Sequence, residues 1–400
     1  MNAFEFMLLM KDIYGPGMPD IKKIQRRGLL AVKIAQHFAL RIDFLNPEKC
    51  AHLAQLYRAA IPVPAEESMK LLDSYTPAGW RDNFTSIDRE PLAAASVGQV
   101  HAARLKSGEK VVVKIIKGDF KKKFIRDAAA VKSLFNAVIF FYPKLAKVFD
   151  PVAAIRAIEE YTVNELDLRN EYKGQQVFAA LKEEGMKKTD MSLLKFAKIH
   201  TELSGENVMV SEFVEAKTFD ELLERGELTY SNILDLFHLH GYYMFGAGTF
   251  HGDIHPGNIF LKGKQIYFID TAAVAAVTPR TKAGLLKFFA ALSVYDYAQS
   301  AECINNMAIK GISGAQLLKF REAFQVLYKD FKDSSVGEVS LTKKMMQTIR
   351  LGVLSGMEFD HDMFPIIKSL MYLDGMVLRC KPDAVLVRDM GPFIKEAQGW

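Results

Sequence analysis

Cysteine is scarce. Cys50, Cys303 and Cys380 are the only three in 400 residues, and no CxxC or Cys/His spacing joins them. This excludes a disulfide-stapled scaffold and a cysteine-ligated zinc site, and it fits free thiols in a reducing compartment. A large excess of one charge is also missing, because 52 Lys and Arg face 47 Asp and Glu for a formal net charge of +5. Nucleic-acid-binding surfaces are far more basic, so no nucleic acid is expected as a partner. Low-complexity tracts and internal repeats are absent. Uncharged runs are short as well. The longest, Leu236 to Gly252, carries His238, His240, His251 and several glycines, which makes a poor bilayer span. The opening MNAFEFMLLMKD has no basic leader and is broken by Glu5, so it does not read as a secretory signal. The expected location is the cytoplasm, with at most peripheral contact with the inner membrane.

What is present is ordinary globular material, half apolar and a quarter charged, long enough for two lobes. The first ninety residues read as helical. Leu29, Leu30, Val32, Ile34, Phe38, Leu40 and Phe44 form an apolar stretch too broad for one stripe, which predicts a largely buried helix. Pro62-Val-Pro64 interrupts before another helix from about Glu66. Near Pro91 the texture changes: Ala95 to Leu105 reads as a strand, Lys106 to Glu109 as a turn, and Lys110 to Ile116 as a second strand. Ala-rich helical sequence then runs from about Phe120 to Leu181. Val208 to Val214 reads as a connecting strand. Beyond Phe219 the chain is helical apart from Asn258 to Leu261 and Gln265 to Ile269, a tight hairpin about Lys262-Gly-Lys264. The order predicts an α+β chain with a helical extension at 1–90, a sheet-bearing lobe with a helical insert at 91–214, and a helical lobe at 215–400.

Four separated pieces fit one task, holding a nucleoside triphosphate with a divalent metal. Ala93, Ala94, Ala95, Ser96, Val97, Gly98 and Val100 make a small-residue segment whose backbone N–H groups can approach phosphate oxygens. An Ala-rich helix start looks the same. Lys114 is a lone ammonium in an apolar strand, on the face opposite Val113 and Ile115. It needs an anionic partner or a route along the edge to water. Asp253, within His251-Gly-Asp-Ile-His-Pro-Gly-Asn258, can orient or deprotonate an attacking hydroxyl. Asn258 and Asp270 are hard oxygen donors suited to Mg²⁺. Each acid taken alone is equally a turn former.

Together these segments resemble the protein-kinase-like superfamily. Ala93, Ala95, Gly98 and Val100 match the positions of G-x-G-x-x-G-x-V, with alanine for the first two glycines, and Lys114 follows where the strand lysine does. Asp253 and Asn258 keep the D-x-x-x-x-N spacing, and Asp270 stands where D-F-G has its aspartate. Within the superfamily, Lys33-Ile-Ala-Gln36, followed by Arg41 and Asp43, resembles the K-x-G-Q signature of the UbiB (aarF-domain) atypical kinases. Asn164 to Glu171 resembles their E-x-D segment with its following Glu. The resemblance runs from about Leu29 to Ala272 and implies a bilobal kinase-like fold. It implies that Lys114, held by Glu171, contacts the α/β-phosphates and that Glu212 and Val214 line the nucleotide. It further implies that Asn258 and Asp270 bind Mg²⁺ and that Asp253 is the catalytic-loop acid. Lys33 and Gln36 would belong to an extension covering the place where a kinase admits a peptide, anchored by Glu165 and Asp167. Mutual pairing of Lys33, Glu165 and Asp167 is also the cheapest arrangement for charges in apolar helical surroundings.

Two departures stand out: Ala35 replaces the glycine of K-x-G-Q, and Asp270-Thr-Ala272 replaces D-F-G. The arginine of H-R-D is missing, so control by activation-loop phosphorylation is not expected. Lys22, Lys23, Arg26 and Arg27, with Lys117, Lys121, Lys122, Lys123 and Arg126, form two basic clusters. They read either as solvated faces or as contacts for anionic lipid. Phe4, Phe6, Met7, Leu8, Leu9 and Met10 are available as an apolar wedge. The reading is an ATP- and Mg²⁺-dependent atypical kinase or ATPase that hydrolyses ATP slowly or transfers phosphate to a small lipid-like acceptor. The resemblance implies a place in isoprenoid-quinone or lipid metabolism, with quinone- or lipid-biosynthesis proteins as partners. Beside it stand a small-molecule phosphotransferase of the aminoglycoside or choline kinase type and a non-catalytic nucleotide-binding scaffold.

Overall fold

The computed structural model describes residues 1–39, 45–57, 61–141, 151–360 and 362–400. Leu40, Arg41, Asp43 and Phe44 lie outside the described residues. Two compact units emerge: Met1–Lys173 with Ala197–Phe213, and Gly174–Phe196 with Val214–Trp400.

The first unit is built on an antiparallel sheet of β1 (Phe84–Ile87), β2 (Ala93–Ala94), β3 (Gly98–Leu105) and β4 (Lys110–Ile116). After β5 (Leu194–Phe196), which belongs to the second unit, β6 (Val208–Glu212) completes it in the order β1-β3-β4-β6, with β2 on β3. Alternation dictates the buried face. Val111, Val113 and Ile115 are essentially inaccessible and pack with Leu72, Trp80, Phe84, Val208 and Val210, while Lys110, Val112 and Lys114 face the other way. β1 lies inside the stretch read as helical. The preceding helix Ala65–Tyr75 stops at an extended Thr76. Gly79 takes a left-handed φ of 79° that leads into the 3-10 turn Trp80–Asn83, and Phe84 then packs on Trp80 at 4.6 Å between ring centroids. Four residues are too few to display a strand period in the sequence.

A second core of the same unit is helical. Helices Ala3–Tyr14, Leu29–Ala39, Phe120–Phe141 and Pro151–Glu165 bury Leu9, Ile34, Phe38, Phe124, Val131 and Ile155 together. Phe6 and Leu9 are core here, only 6% and 0% exposed. The expected apolar wedge is therefore reduced, with Phe4 and Met7 its exposed large members at 65% and 56%.

The second unit carries β7 (Lys217–Thr218), β8 (Thr249–His251), β9 (Ile259–Lys262), β10 (Gln265–Phe268) and β11 (Val274–Ala276). β5, β10, β9 and β7 form one sheet, with β5 parallel to β10, and β8 pairs with β11 in a separate ribbon. The β9–β10 turn places Gly263 at φ 61°, as a two-residue hairpin requires. The uncharged Leu236–Gly252 stretch is core. Helix Tyr230–Gly241 runs into the π-helical turn Tyr242–Ala247 and then β8, burying Leu236, Leu239, Tyr243, Phe245 and Phe250. Among the described residues no helix is long and apolar enough to cross a membrane.

Candidate functional site

In the first unit the sheet register aligns the small-residue segment with the lysine. Ala93 is paired with Val100, and Val100 with Lys114, so the three form one cross-strand row. Ala95 N–H donates to the Gly98 carbonyl at 2.8 Å, closing a tight turn at Ser96-Val97. The side chain of Val97 is buried against Ile116, Leu166, Leu168 and Met209, and so anchors the turn from beneath. A Cβ on Gly98 would stand 3.1 Å from the Ile115 carbonyl oxygen, so the sheet itself favours glycine there. The Lys114 ammonium is ion-paired with Glu171, 57 residues away on helix Arg169–Gly185. Glu171 is 5% exposed, and a carboxylate that buried requires such a partner. Glu212 ends β6 and its carboxylate accepts the Lys198 N–H at 3.2 Å.

Lys33 and Gln36 are both buried on helix Leu29–Ala39. Lys33 pairs with Glu165, and its ammonium lies 5.5 Å from the Tyr161 ring centroid. Gln36 donates to the Leu56 carbonyl at 3.0 Å and accepts the Tyr57 hydroxyl on its own carbonyl, also at 3.0 Å. Asp167 does not join them. It makes a two-point bond with Arg169, at 2.8 and 2.7 Å, and caps the Arg169 N–H, which together hold its carboxyl below the usual range despite partial burial. The side chain two residues away captures it first. Ala35 is fully buried, so its methyl group is part of the helical core.

In the second unit the loop after β8 is fixed by its own polar groups. His251 Nε2–H donates to the Ile269 carbonyl at 2.9 Å, leaving Nδ1 to accept the Asp253 N–H at 3.1 Å. Burial pushes this imidazole's pKa down, so it is a neutral brace. The Asn258 amide donates to the Asp253 carbonyl at 3.0 Å, which orients the side chain and leaves Oδ1 as its acceptor end. The Asn258 carbonyl in turn accepts the Ile269 N–H at 3.0 Å, so Asn258 and Asp270 stand at one end of the β9–β10 hairpin. Asp270 takes φ 55°, a left-handed conformation that Asp tolerates better than most residues. Behind it Thr271 and Ala272 are buried, and Gly252 N–H donates to the Ala273 carbonyl at 2.6 Å. Val214 opens the longer segment of this unit, half-buried.

A model of the ABC1 atypical kinase-like domain matches residues 55–304. The chain belongs to the ABC1 atypical kinase-like family. It is 27% identical over 398 residues to a probable protein kinase UbiB of Pseudomonas aeruginosa, covering 93% of this chain and 70% of that one. It is 24% identical over 382 residues to a Clostridium pasteurianum protein from the 5′ region of hydrogenase 1, covering 94% and 69%. It is 29% identical over 301 residues to the chloroplastic Arabidopsis thaliana protein ACTIVITY OF BC1 COMPLEX KINASE 8, covering 70% and 38%. The fold is shared with Rv3197 of Mycobacterium tuberculosis, solved with erythromycin, at a TM-score of 0.51 and 18% identity over 95% of this chain and 96% of that one. The α+β kinase-like fold expected from the sequence is therefore the fold of this family member.

Sequence reasoning missed one charged residue in this ABC1 chain's second unit. Lys368, on helix Met363–Cys380, is 8% exposed and places Nζ 2.9 Å from Asp253 Oδ1. Burial by itself would raise the Asp253 pKa, but the Lys368 ammonium outweighs it and holds the carboxyl at about 2. The signal was present: Lys368 is a lone cation in Ile366-Ile-Lys-Ser-Leu370, the pattern that singled out Lys114.

Lys117 corrects the second basic cluster. It is 7% exposed, with Nζ donating to the Ile61 carbonyl at 2.8 Å, so it faces the protein interior. Burial lowers its pKa from 10.5 to about 8. The unfolded chain therefore binds the extra proton between those values, and folding stability contributed by this site rises with pH across that window. Lys117→Met has no such proton to lose. The stability difference between wild type and Lys117→Met should shift toward wild type by on the order of 3 kcal/mol between pH 7.5 and 10.5, measured by urea unfolding. A pH-independent difference would show that Lys117 is charged at its ordinary pKa.

Proposed function

We propose that this ABC1 family member is an atypical kinase or ATPase that binds ATP with Mg²⁺. It would hydrolyse ATP slowly or transfer phosphate to a small lipid-like acceptor in isoprenoid-quinone or lipid metabolism. The observation that carries the reading is the Lys114–Glu171 ion pair, which fixes an ammonium in the cross-strand row with Ala93 and Val100. Lys114 would meet the α/β-phosphates, the Ala93–Val100 segment would cover them, and Glu212 and Val214 would flank the base. The donor set suits Mg²⁺: Asn258 Oδ1 and the Asp270 carboxylate are hard oxygens at one hairpin end. Among the described residues no cluster of three or more His, Cys, Asp or Glu forms an all-protein cage. Magnesium usually takes one or two such ligands and completes its shell with phosphates and water. Its chemistry would be charge neutralisation on the transferring phosphate. Asp253, ionised and paired, is a weak base and would orient the acceptor hydroxyl, as loose phosphoryl-transfer transition states require.

The test is thermal shift with ATP, with and without Mg²⁺, followed by turnover on the same samples. Stabilisation that needs Mg²⁺, with slow phosphate release, is expected. Phosphorylation of an added aminoglycoside or choline would favour the small-molecule phosphotransferase instead. The short, buried Thr271-Ala272 segment favours a second reading, a nucleotide-binding scaffold, which predicts Mg·ATP binding with no turnover.

Peripheral membrane contact belongs to the same proposal. Exposed Phe4 and Met7 on helix Ala3–Tyr14, with exposed Lys22, Lys23, Arg26, Lys122, Lys123 and Arg126, support it. Lys23 and Arg27 are partly neutralised by Asp12, at 3.2 and 2.6 Å. The chain should cosediment with anionic vesicles at low salt and be released by salt. Phe4→Ser with Met7→Ser should weaken binding several-fold. Equal binding to neutral vesicles would exclude the electrostatic part.

A further inference from the structure

The main chain of Asp253 is held from both sides, by His251 Nδ1 at its N–H and by the Asn258 amide at its carbonyl. What those bonds leave undetermined is the direction of the carboxylate. That carboxylate is ion-paired from outside the loop by Lys368, whose Nζ lies 2.9 Å from Oδ1. The same helix reaches the loop a second time one turn on, where Tyr372 packs edge-on against His255 with ring centroids 5.3 Å apart. The Lys368 ammonium also lies 5.8 Å from the Tyr372 ring centroid. Lys368 and Tyr372 are spaced i, i+4, so one face of helix Met363–Cys380 supports the loop at both residues. A lysine only 8% exposed loses most of its hydration, and the pair must recover that cost through geometry.

We propose that Lys368 is a positioning residue for phosphoryl transfer, acting through Asp253: it aims the Asp253 carboxylate at the acceptor. The inference rests on the kinase-like reading of Asp253 given above. It adds a functional residue from the helical tail, beyond the 55–304 span of the family match. A purely structural ion pair would affect folding and leave the chemical step alone. A positioning pair changes kcat while ATP binding, which depends on other side chains, stays the same.

The experiment compares the full chain with Lys368→Met, Lys368→Arg, Asp253→Asn and the double variant Asp253→Asn/Lys368→Met in Mg²⁺-dependent ATP turnover. The double variant removes both charges and guards against a fold lost to an unpaired buried carboxylate. Lys368→Met should lower kcat by about 100-fold, with KM for ATP changed less than about threefold, since misplacing a catalytic group by about 1 Å costs that much. Lys368→Arg should recover most of the rate. In the Asp253→Asn background, Lys368→Met should cost less than about twofold further, because both variants remove one interaction. The proposal is overturned if Lys368→Met keeps its kcat or gains activity, if the rate loss resides in KM, or if the two substitutions multiply independently. Absence of turnover in the wild type, or full turnover in Asp253→Asn, would sink the kinase-like reading and this inference together. A defect missing only in the Lys368 variants would sink this inference alone.

Discussion

Asp270→Asn is expected to lower Mg²⁺-dependent ATP turnover by about 100- to 1,000-fold while the chain stays folded. The size follows from removing the carboxylate charge from the proposed metal site, where electrostatic stabilisation supplies most of the rate. The fold should survive because asparagine matches aspartate in shape and, like it, tolerates the left-handed backbone that Asp270 adopts at φ 55°. Asp270→Ala would mix a conformational cost with the loss of charge. Lys114→Ala is less clean for a related reason, since it strands Glu171, 5% exposed, without its cation. Turnover and Mg·ATP thermal shift on one preparation decide the outcome. Retained turnover in Asp270→Asn would reduce Asp270 to a left-handed turn residue.

Gly174→Ala should destabilise the second unit and also lower turnover. A Cβ at Gly174, on helix Arg169–Gly185, would overlap the Thr271 carbonyl oxygen and fall 2.8 Å from its carbon. That oxygen is backbone, and it has little room to retreat. Val274 is paired with His251, Gly252 N–H bonds the Ala273 carbonyl, and Thr271 is 3% exposed. The strain must pass into the peptide following Asp270. Overpacking of this kind costs about 1–3 kcal/mol, a drop of several degrees in Tm. Displacing Asp270 should add about a 100-fold loss of turnover. Gly375→Ala is the matched control, because a Cβ there meets nothing within 4 Å on helix Met363–Cys380. It should leave stability unchanged or raise it by about 0.4–1 kcal/mol. If Gly174→Ala behaves like Gly375→Ala, the close packing at Thr271 is not maintained in solution.

Local pattern was enough for much of this protein. The strand Lys110–Ile116, the β9–β10 hairpin and the buried helix from Leu29 follow from periodicity over a few residues, where each side chain's face is set by its own neighbours. The spacing of Asp253, Asn258 and Asp270 was equally legible, because one loop and one hairpin carry all three. β1 and the β8–β11 ribbon were not, being too short to show a period and held by partners distant in sequence.

Partners among the charges divide in the same way. Glu165 meets Lys33 across 132 residues, whereas Asp167 is taken by Arg169 two residues on, and charge and context alone treated the two acids alike. Lys117 and Lys122 look equivalent in sequence, yet one is buried against a carbonyl and the other exposed. Residue types and their spacing, and with them the family, were legible in the chain alone. Tertiary packing decided which carboxylate each lysine meets, that Lys368 reaches Asp253, and that Gly174 lies against Thr271. Burying a charge is costly enough that each must find a partner, but only the folded chain brings distant segments within the few ångströms over which that partner is chosen.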